Sequence, residues 1–179
     1  MDKDENGKII QALSKSALCK GFTQDELLCL LEENSTEIKK YEKGSFVFEE
    51  GDVPERLYVM VHGYVEVSKL TFSGKKILIT TIENPGDMFA EVYMFMGKSK
   101  YDMSAQAGEE SLILSISSDF FENISYNTNA LVAEKIRKKR YFNFIWKSSF
   151  RFEAVVYKSS DTIYTVRYGN IIPCLHQIW

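Results

Sequence analysis

The sequence predicts an α+β chain built on a jelly-roll β-barrel, a double-stranded β-helix, with helices before the barrel and one after it. Three observations predict it. Seven of the ten glycines fall between positions 44 and 108, and the last six of them, at 51, 63, 74, 86, 97 and 108, stand 11 or 12 residues apart. Between them lie β-rich segments, Leu57-Tyr58-Val59-Met60-Val61, residues 64–70, residues 77–82 and Leu112-Ile113-Leu114-Ser115-Ile116, and turns at that interval mark short strands of a sandwich or barrel. Val65 and Val67 alternate with Glu66 and Ser68, the period of two of a half-buried strand.

A chain of 179 residues with 45% hydrophobic side chains can bury the core of one ordinary domain, with room for an appendage. Its apolar runs are short and broken by charge, so no membrane span is expected, and the acidic start Met1-Asp2-Lys3-Asp4-Glu5 is the reverse of a secretory leader. A cytoplasmic protein is expected. Cys19, Cys29 and Cys174 are odd in number and lack metal-ligand spacing, which argues for isolated reduced thiols rather than a disulfide framework, zinc site or iron–sulfur cluster. The net charge of −3 hides an asymmetry: residues 1–118 carry 13 basic and 20 acidic side chains, residues 119–179 carry 9 and 5. A nucleic-acid-binding face would not lie on the acidic part.

In order, residues 9–18 read as a short helix closed by a turn at Lys20-Gly21. Thr23 and Glu26 have the spacing of a capping box that opens a helix through Leu27-Leu28-Cys29-Leu30-Leu31. Strand character begins near Asn34, since Ile38, Tyr41 and Phe46-Val47-Phe48 leave helical spacing. After the barrel, Asp119-Phe120-Phe121-Glu122 starts a short helix, and Asn127-Thr128-Asn129 caps a second that runs into the basic stretch Arg137-Lys138-Lys139-Arg140. That stretch reads as a solvated helix face, with nucleic-acid contact as the alternative. Val132, Ala133 and Ile136 offer a seam for a second copy of the helix. Residues 152–168 read as two strands about the turn Lys158-Ser159-Ser160-Asp161, and the end of the chain is apolar and abrupt.

Residues 86–105 organise the rest. They read as a strand end, a tight turn, one short helix and a returning strand, a geometry able to aim helix N–H groups at an anion. Met88, Met94, Met96 and Met103 bring four of the six methionines here, either as an adaptable apolar wall or as core filler. His62, beside the turn at Gly63, is a candidate heme or metal ligand, although a lone histidine fits a structural or exposed role better.

Residues from about 18 to 142 resemble the effector domain of the Crp/Fnr family of bacterial transcription regulators, a cyclic nucleotide-binding-type β-roll followed by a dimerisation helix. Phe48-Glu49-Glu50-Gly51-Asp52 is similar to the family's strand and turn before the roll. Residues 57–67 resemble its central hairpin, and Pro85-Gly86-Asp87-Met88-Phe89-Ala90-Glu91 the start of its phosphate-binding cassette. The resemblance implies four segments: an N-terminal helical segment over 1–22, the roll over 23–125, a dimerisation-type helix over 126–146, and an atypical tail over 147–179. It implies an effector site at Phe89, Ala90, Glu91, Val92, Met103, Ser104 and Ala105.

Two departures qualify what it implies. In members that bind cyclic AMP, a Gly-Glu pair opens the cassette helix and the glutamate accepts from a ribose hydroxyl; here the pair is Ala90-Glu91, and Glu91 equally suits the first turn of a helix. Those members then place an arginine before Ser-Ala to hold the phosphate, whereas this chain has Met103-Ser104-Ala105, which supplies no guanidinium. Lys98 and Lys100 are the nearby cations that could substitute. The expectation is a pocket that takes no cyclic AMP, with an unidentified small-molecule effector or none, and no cofactor. The second departure is that residues 147–179 show no helix-turn-helix, the module that reads DNA in full-length members. A frame change or truncation near residues 142–147 is the expectation for that tail.

The function expected is effector sensing in a homodimeric transcription regulator, with DNA as partner only where a helix-turn-helix is present. The alternative is a stand-alone ligand-binding or regulatory partner using the roll alone. An enzyme of the cupin type is excluded on ligands, because the chain has only His62 and His176 to build a metal centre or a catalytic triad.

Overall fold

The computed structural model describes residues 3–95, 98–122, 132, 135, 155–159, 162–167 and 170–173. Two units divide the chain, residues 1–140 and 141–179. The first opens with α1 (Lys3–Lys15) and α2 (Gln24–Leu31). Strands β1 (Thr36–Tyr41), β2 (Phe46–Phe48), β3 (Arg56–His62), β4 (Val65–Leu70), β5 (Lys76–Ile82) and β6 (Met88–Phe89) follow. The short helix α3 (Glu91–Phe95) precedes β7 (Ser104–Ala107) and β8 (Ser111–Ser117), and α4 (Ser118–Glu122) follows them.

The eight strands form two antiparallel four-stranded sheets, in the orders β1-β8-β3-β6 and β2-β7-β4-β5, which make the predicted jelly roll. The strands fall where the glycine spacing put them, because the turns at Gly51, Gly63, Gly74 and Gly86 need a backbone that side chains resist. At Gly63, φ is +88°, and a Cβ there would strike the Ser111 hydroxyl and sit 2.8 Å from the Glu110 carbonyl. The β3–β4 and β7–β8 connections therefore pass against each other at that point.

Strand β3 is central. It lies between β8 and β6, with Leu57 opposite Ile116, Val59 opposite Leu114, and Tyr58 opposite Phe89. Its run Leu57-Tyr58-Val59-Met60-Val61 is buried throughout, the pattern of a strand covered on both faces. Leu57, Val59 and Val61 join Leu112, Leu114 and Ile116 of β8 beneath Ile9, Ala12, Leu13, Leu27 and Leu30 of the two helices. Tyr58 and Met60, one residue out of phase, turn to the space between the sheets.

Helix α1 starts earlier and stops sooner than the predicted 9–18. The polar residues before Ile9 extend it into solvent, where Glu5 meets Lys40 at 3.0 Å, and the Ser16 hydroxyl ends it by donating to the Leu13 carbonyl at 2.7 Å. The capping box forms as read: Glu26 N–H donates to Thr23 Oγ1 at 3.3 Å, and Thr23 N–H to Glu26 Oε2 at 2.8 Å. Lys135 then reaches both Glu26 oxygens, at 2.5 and 2.7 Å, with its ammonium also over the Phe22 ring. That contact holds the Glu26 carboxyl below the usual carboxylate range.

Residues 132 and 135 are helical. Val132 is buried in the cluster shared by the helices and the β3–β8 wall, rather than standing free on a surface, while Ala133 and Ile136 lie outside the described residues. In the second unit, β9 (Val155–Ser159) and β10 (Thr162–Arg167) pair with Ser159 opposite Thr162, giving the predicted hairpin. A strand not predicted, β11 (Asn170–Pro173), pairs along the other edge of β10.

Replacing Gly63 with alanine should lower unfolding free energy by about 2–4 kcal/mol, from left-handed strain plus overpacking against Ser111. Denaturant titration of both proteins reads this directly.

Candidate functional site

The cassette is hung on β3. Gly86 N–H donates to the Met60 carbonyl at 2.8 Å and Met60 N–H to the Asp87 carbonyl at 2.9 Å, which fixes the turn ahead of β6. Gly86 has φ +99°, and a Cβ on it would lie 2.8 Å from both the Ala12 carbonyl and Lys15 Cβ of α1. Only glycine lets this turn come so near the helix.

The structure brings the predicted residues onto two adjoining pieces. Phe89, Ala90, Glu91 and Val92 run from β6 into α3, and Met103, Ser104 and Ala105 lead into β7. Phe89 is buried, its ring stacked on Tyr58 at 5.2 Å between centroids. Ala90 is the one described non-glycine residue with positive φ, at 64°. It stands where the family's cyclic AMP binders have glycine, and the left-handed region costs an alanine about 1–2 kcal/mol. Glu91 follows at the start of α3, half-buried, and no described residue bonds its carboxyl other than its own backbone N–H. Burial pushes that carboxyl up to about 7.

Met103 is 4% exposed, so its thioether fills the core at the position to which the resemblance assigns a phosphate-binding arginine. Ser104 faces the opposite way and accepts the Glu50 N–H at 2.9 Å. Among the described residues of the first unit no other guanidinium compensates. Arg56, the one arginine of the roll, is held by Ser115 Oγ at 2.8 Å and by Glu37 at 3.4 Å, and the Lys98 and Lys100 side chains stand exposed. His62 is exposed too, at the rim of a cleft of about 340 Å³ shared with Glu5, Lys8, Lys40 and Glu110. Among the described residues no three His, Cys, Asp or Glu side chains gather to hold a metal.

Sequence reasoning missed the side chains that line the interior behind the cassette. Phe48 of β2 stacks on Tyr101 at 3.9 Å and lies 5.8 Å from Tyr58, while Tyr93 of α3 meets Tyr101 edge-on at 4.9 Å. With Phe89 these rings form one continuous row from β6 through the space between the sheets to α3, each pair adding about 0.5–1.5 kcal/mol beyond area burial. Burial pushes the Tyr58 hydroxyl up to about 12 and the Tyr101 hydroxyl higher still. Both are therefore neutral donors at physiological pH. The Tyr93 hydroxyl donates to Asp102, whose other oxygen takes Lys69 Nζ at 3.2 Å. Burial alone would raise the Asp102 carboxyl; Tyr93 and Lys69 outweigh it and hold the group below its ordinary value. Chemically the site offers aromatic rings, two carboxyl groups and, among the described residues, one cation, Lys69, already paired with Asp102.

Two measurements test this account. Ala90→Gly should stabilise the chain by about 0.5–1 kcal/mol, the relief of left-handed strain less the greater freedom of glycine when unfolded. For Glu91, the folded state keeps a proton that the unfolded chain has already lost above its ordinary value near 4.5. Wild-type stability relative to Glu91→Gln should therefore fall as pH rises from about 4.5 to 7 and flatten above it, as followed by denaturant midpoints across that range.

Comparison with known proteins follows the same lines. The profile of the cyclic nucleotide-binding domain family matches residues 38–127. The anaerobic regulatory protein of Bacillus subtilis is 32% identical over 109 residues, which cover 61% of this chain and 45% of that protein, so the chain spans less than half the length of this curated relative. The N-terminal domain of a transcriptional regulator from Streptomyces coelicolor superposes with a TM-score of 0.63 at 19% identity, over 77% of this chain and 94% of that one. The sensor domain of the transcriptional regulator DNR from Pseudomonas aeruginosa gives 0.60 at 23% identity, over 86% and 99%. The regulatory domain of Toxoplasma gondii PKA, crystallised with cAMP, gives 0.61 at 21% identity, over 83% and 52%. With the roll, its cassette and the profile in agreement, the chain belongs to the cyclic nucleotide-binding domain family, with regulators of the Crp/Fnr type among its relatives.

Proposed function

We propose that this chain carries the effector-sensing domain of a Crp/Fnr-type transcription regulator and that its cassette does not bind cyclic AMP. The observation that carries the reading is the buried Met103. A cyclic phosphate brings a full negative charge, which needs a fixed cation or several aimed donors when it leaves water. Here the thioether supplies neither, Arg56 is committed elsewhere, and Ser104 is engaged by Glu50. Lys69, the cation at the cassette rim, is already paired with Asp102. The effector class this wall suits is small, uncharged or cationic, and able to meet aromatic faces.

In this reading the cytoplasmic protein works as a homodimer paired through the helix over residues 126–146, with Ala133 and Ile136 at the seam. Val132, buried in the chain's own core, ties that helix to the roll instead. Effector binding shifts an equilibrium in which cassette and helix change relative position. Among the described residues no helix-turn-helix is found, and those of the second unit are strands. DNA reading therefore requires a module in the intact regulator that these residues do not supply.

Isothermal titration with cyclic AMP at micromolar to millimolar concentration should give no saturable heat. Saturable binding in the micromolar range would overturn the assignment.

A further inference from the structure

Helix α3 has five residues, too few to hold itself by its own hydrogen bonds. Its start is strained, since Ala90 enters it from the left-handed region. Something outside the helix must keep it in place. The wall opposite is well anchored. Tyr101 exchanges backbone hydrogen bonds with the β2–β3 connection, Gly51 N–H to its carbonyl and its own N–H to Asp52, both at 2.9 Å, while its ring lies flat on Phe48. Asp102 follows directly on this fixed point, and Lys69 of β4 braces its carboxylate at 3.2 Å. Across from them the buried Tyr93 of α3 reaches that wall, its hydroxyl donating to Asp102.

We propose that Tyr93, Asp102 and Lys69 form a latch that holds the cassette helix closed from within the chain, with no bound ligand. Ala90 is the loaded joint and the Tyr93–Asp102 bond the catch. A bound anion draws a cassette together from its centre; here a carboxylate belonging to the protein does so at the rim, and an effector acts by releasing or reinforcing that bond. The three residues are positioning groups, set on three separate elements. The inference rests on the effector-cassette reading for what the latch serves, but not for whether it exists.

Hydrogen exchange followed by mass spectrometry on the full chain, without ligand, tests it. Tyr93→Phe and Asp102→Asn should each speed exchange of the amides at 91–95 and 98–101 by about tenfold, the effect of losing one hydrogen bond to a charged group. Amides of β3 and β8 should keep their wild-type rates, and the double variant should exchange no faster than the single ones. Lys69→Met, on the surface side of the catch, should give a smaller increase in the same amides, and Lys69→Arg should restore the wild-type rate. Unchanged cassette exchange in Tyr93→Phe and Asp102→Asn would overturn the latch, as would an equal rise in β3 and β8. Cyclic AMP binding in the calorimeter would remove the proposed selectivity and leave the exchange result to stand by itself.

Discussion

Burial of β3 on both of its faces is the constraint on which the other parts depend. Leu57, Val59 and Val61 serve the helical side while Tyr58 and Met60 serve the inter-sheet side, so the one strand contributes to both. The register with β8 and β6 follows from it, because a slip by one residue would exchange the two sets. The backbone of Met60 then hangs the cassette turn from the same strand. Strain at Ala90, the ring row and the seating of Gly86 against α1 are all referred to this single rigid element.

Around that strand the molecule divides its interactions by kind. The helical side is mostly aliphatic, with Phe120 among its members, and is closed by α1, α2 and Val132, with Lys135 meeting Glu26 at its margin. The inter-sheet side is aromatic toward the cassette, and its polar groups stand at the rim: the Tyr93 hydroxyl, Asp102, Ser104 and Glu91. Where the resemblance implies a cation, this chain has a buried thioether, Met103.

Much of the fold was legible from residues alone. Glycine spacing located the turns because positive φ and close backbone approach leave few other residues available, and the Thr23–Glu26 pair announced α2 because capping is a local interaction. The cassette was legible from Gly86 to Ala105 for the same reason. The Tyr93–Asp102–Lys69 contact was not, since its members come from α3, a turn and β4, and no periodicity ties Lys69 to a residue 33 positions later. The ring row was hidden similarly: alternation marks Phe48 and Tyr58 as inward, but not which rings they meet. Early residues of α1 were missed because they bear no apolar stripe, and β11 because its four residues are too short a run to separate from irregular chain.

Met103 has a consequence beyond selectivity. An arginine buried at that point would leave an unpaired charge whenever its anion departed, with a penalty of about 3–5 kcal/mol for a broken buried pair. A domain so built stands or falls with the supply of its ligand. With a thioether in that place the unliganded state carries no such debt. The fold around Met103 is therefore complete without an anion to finish it.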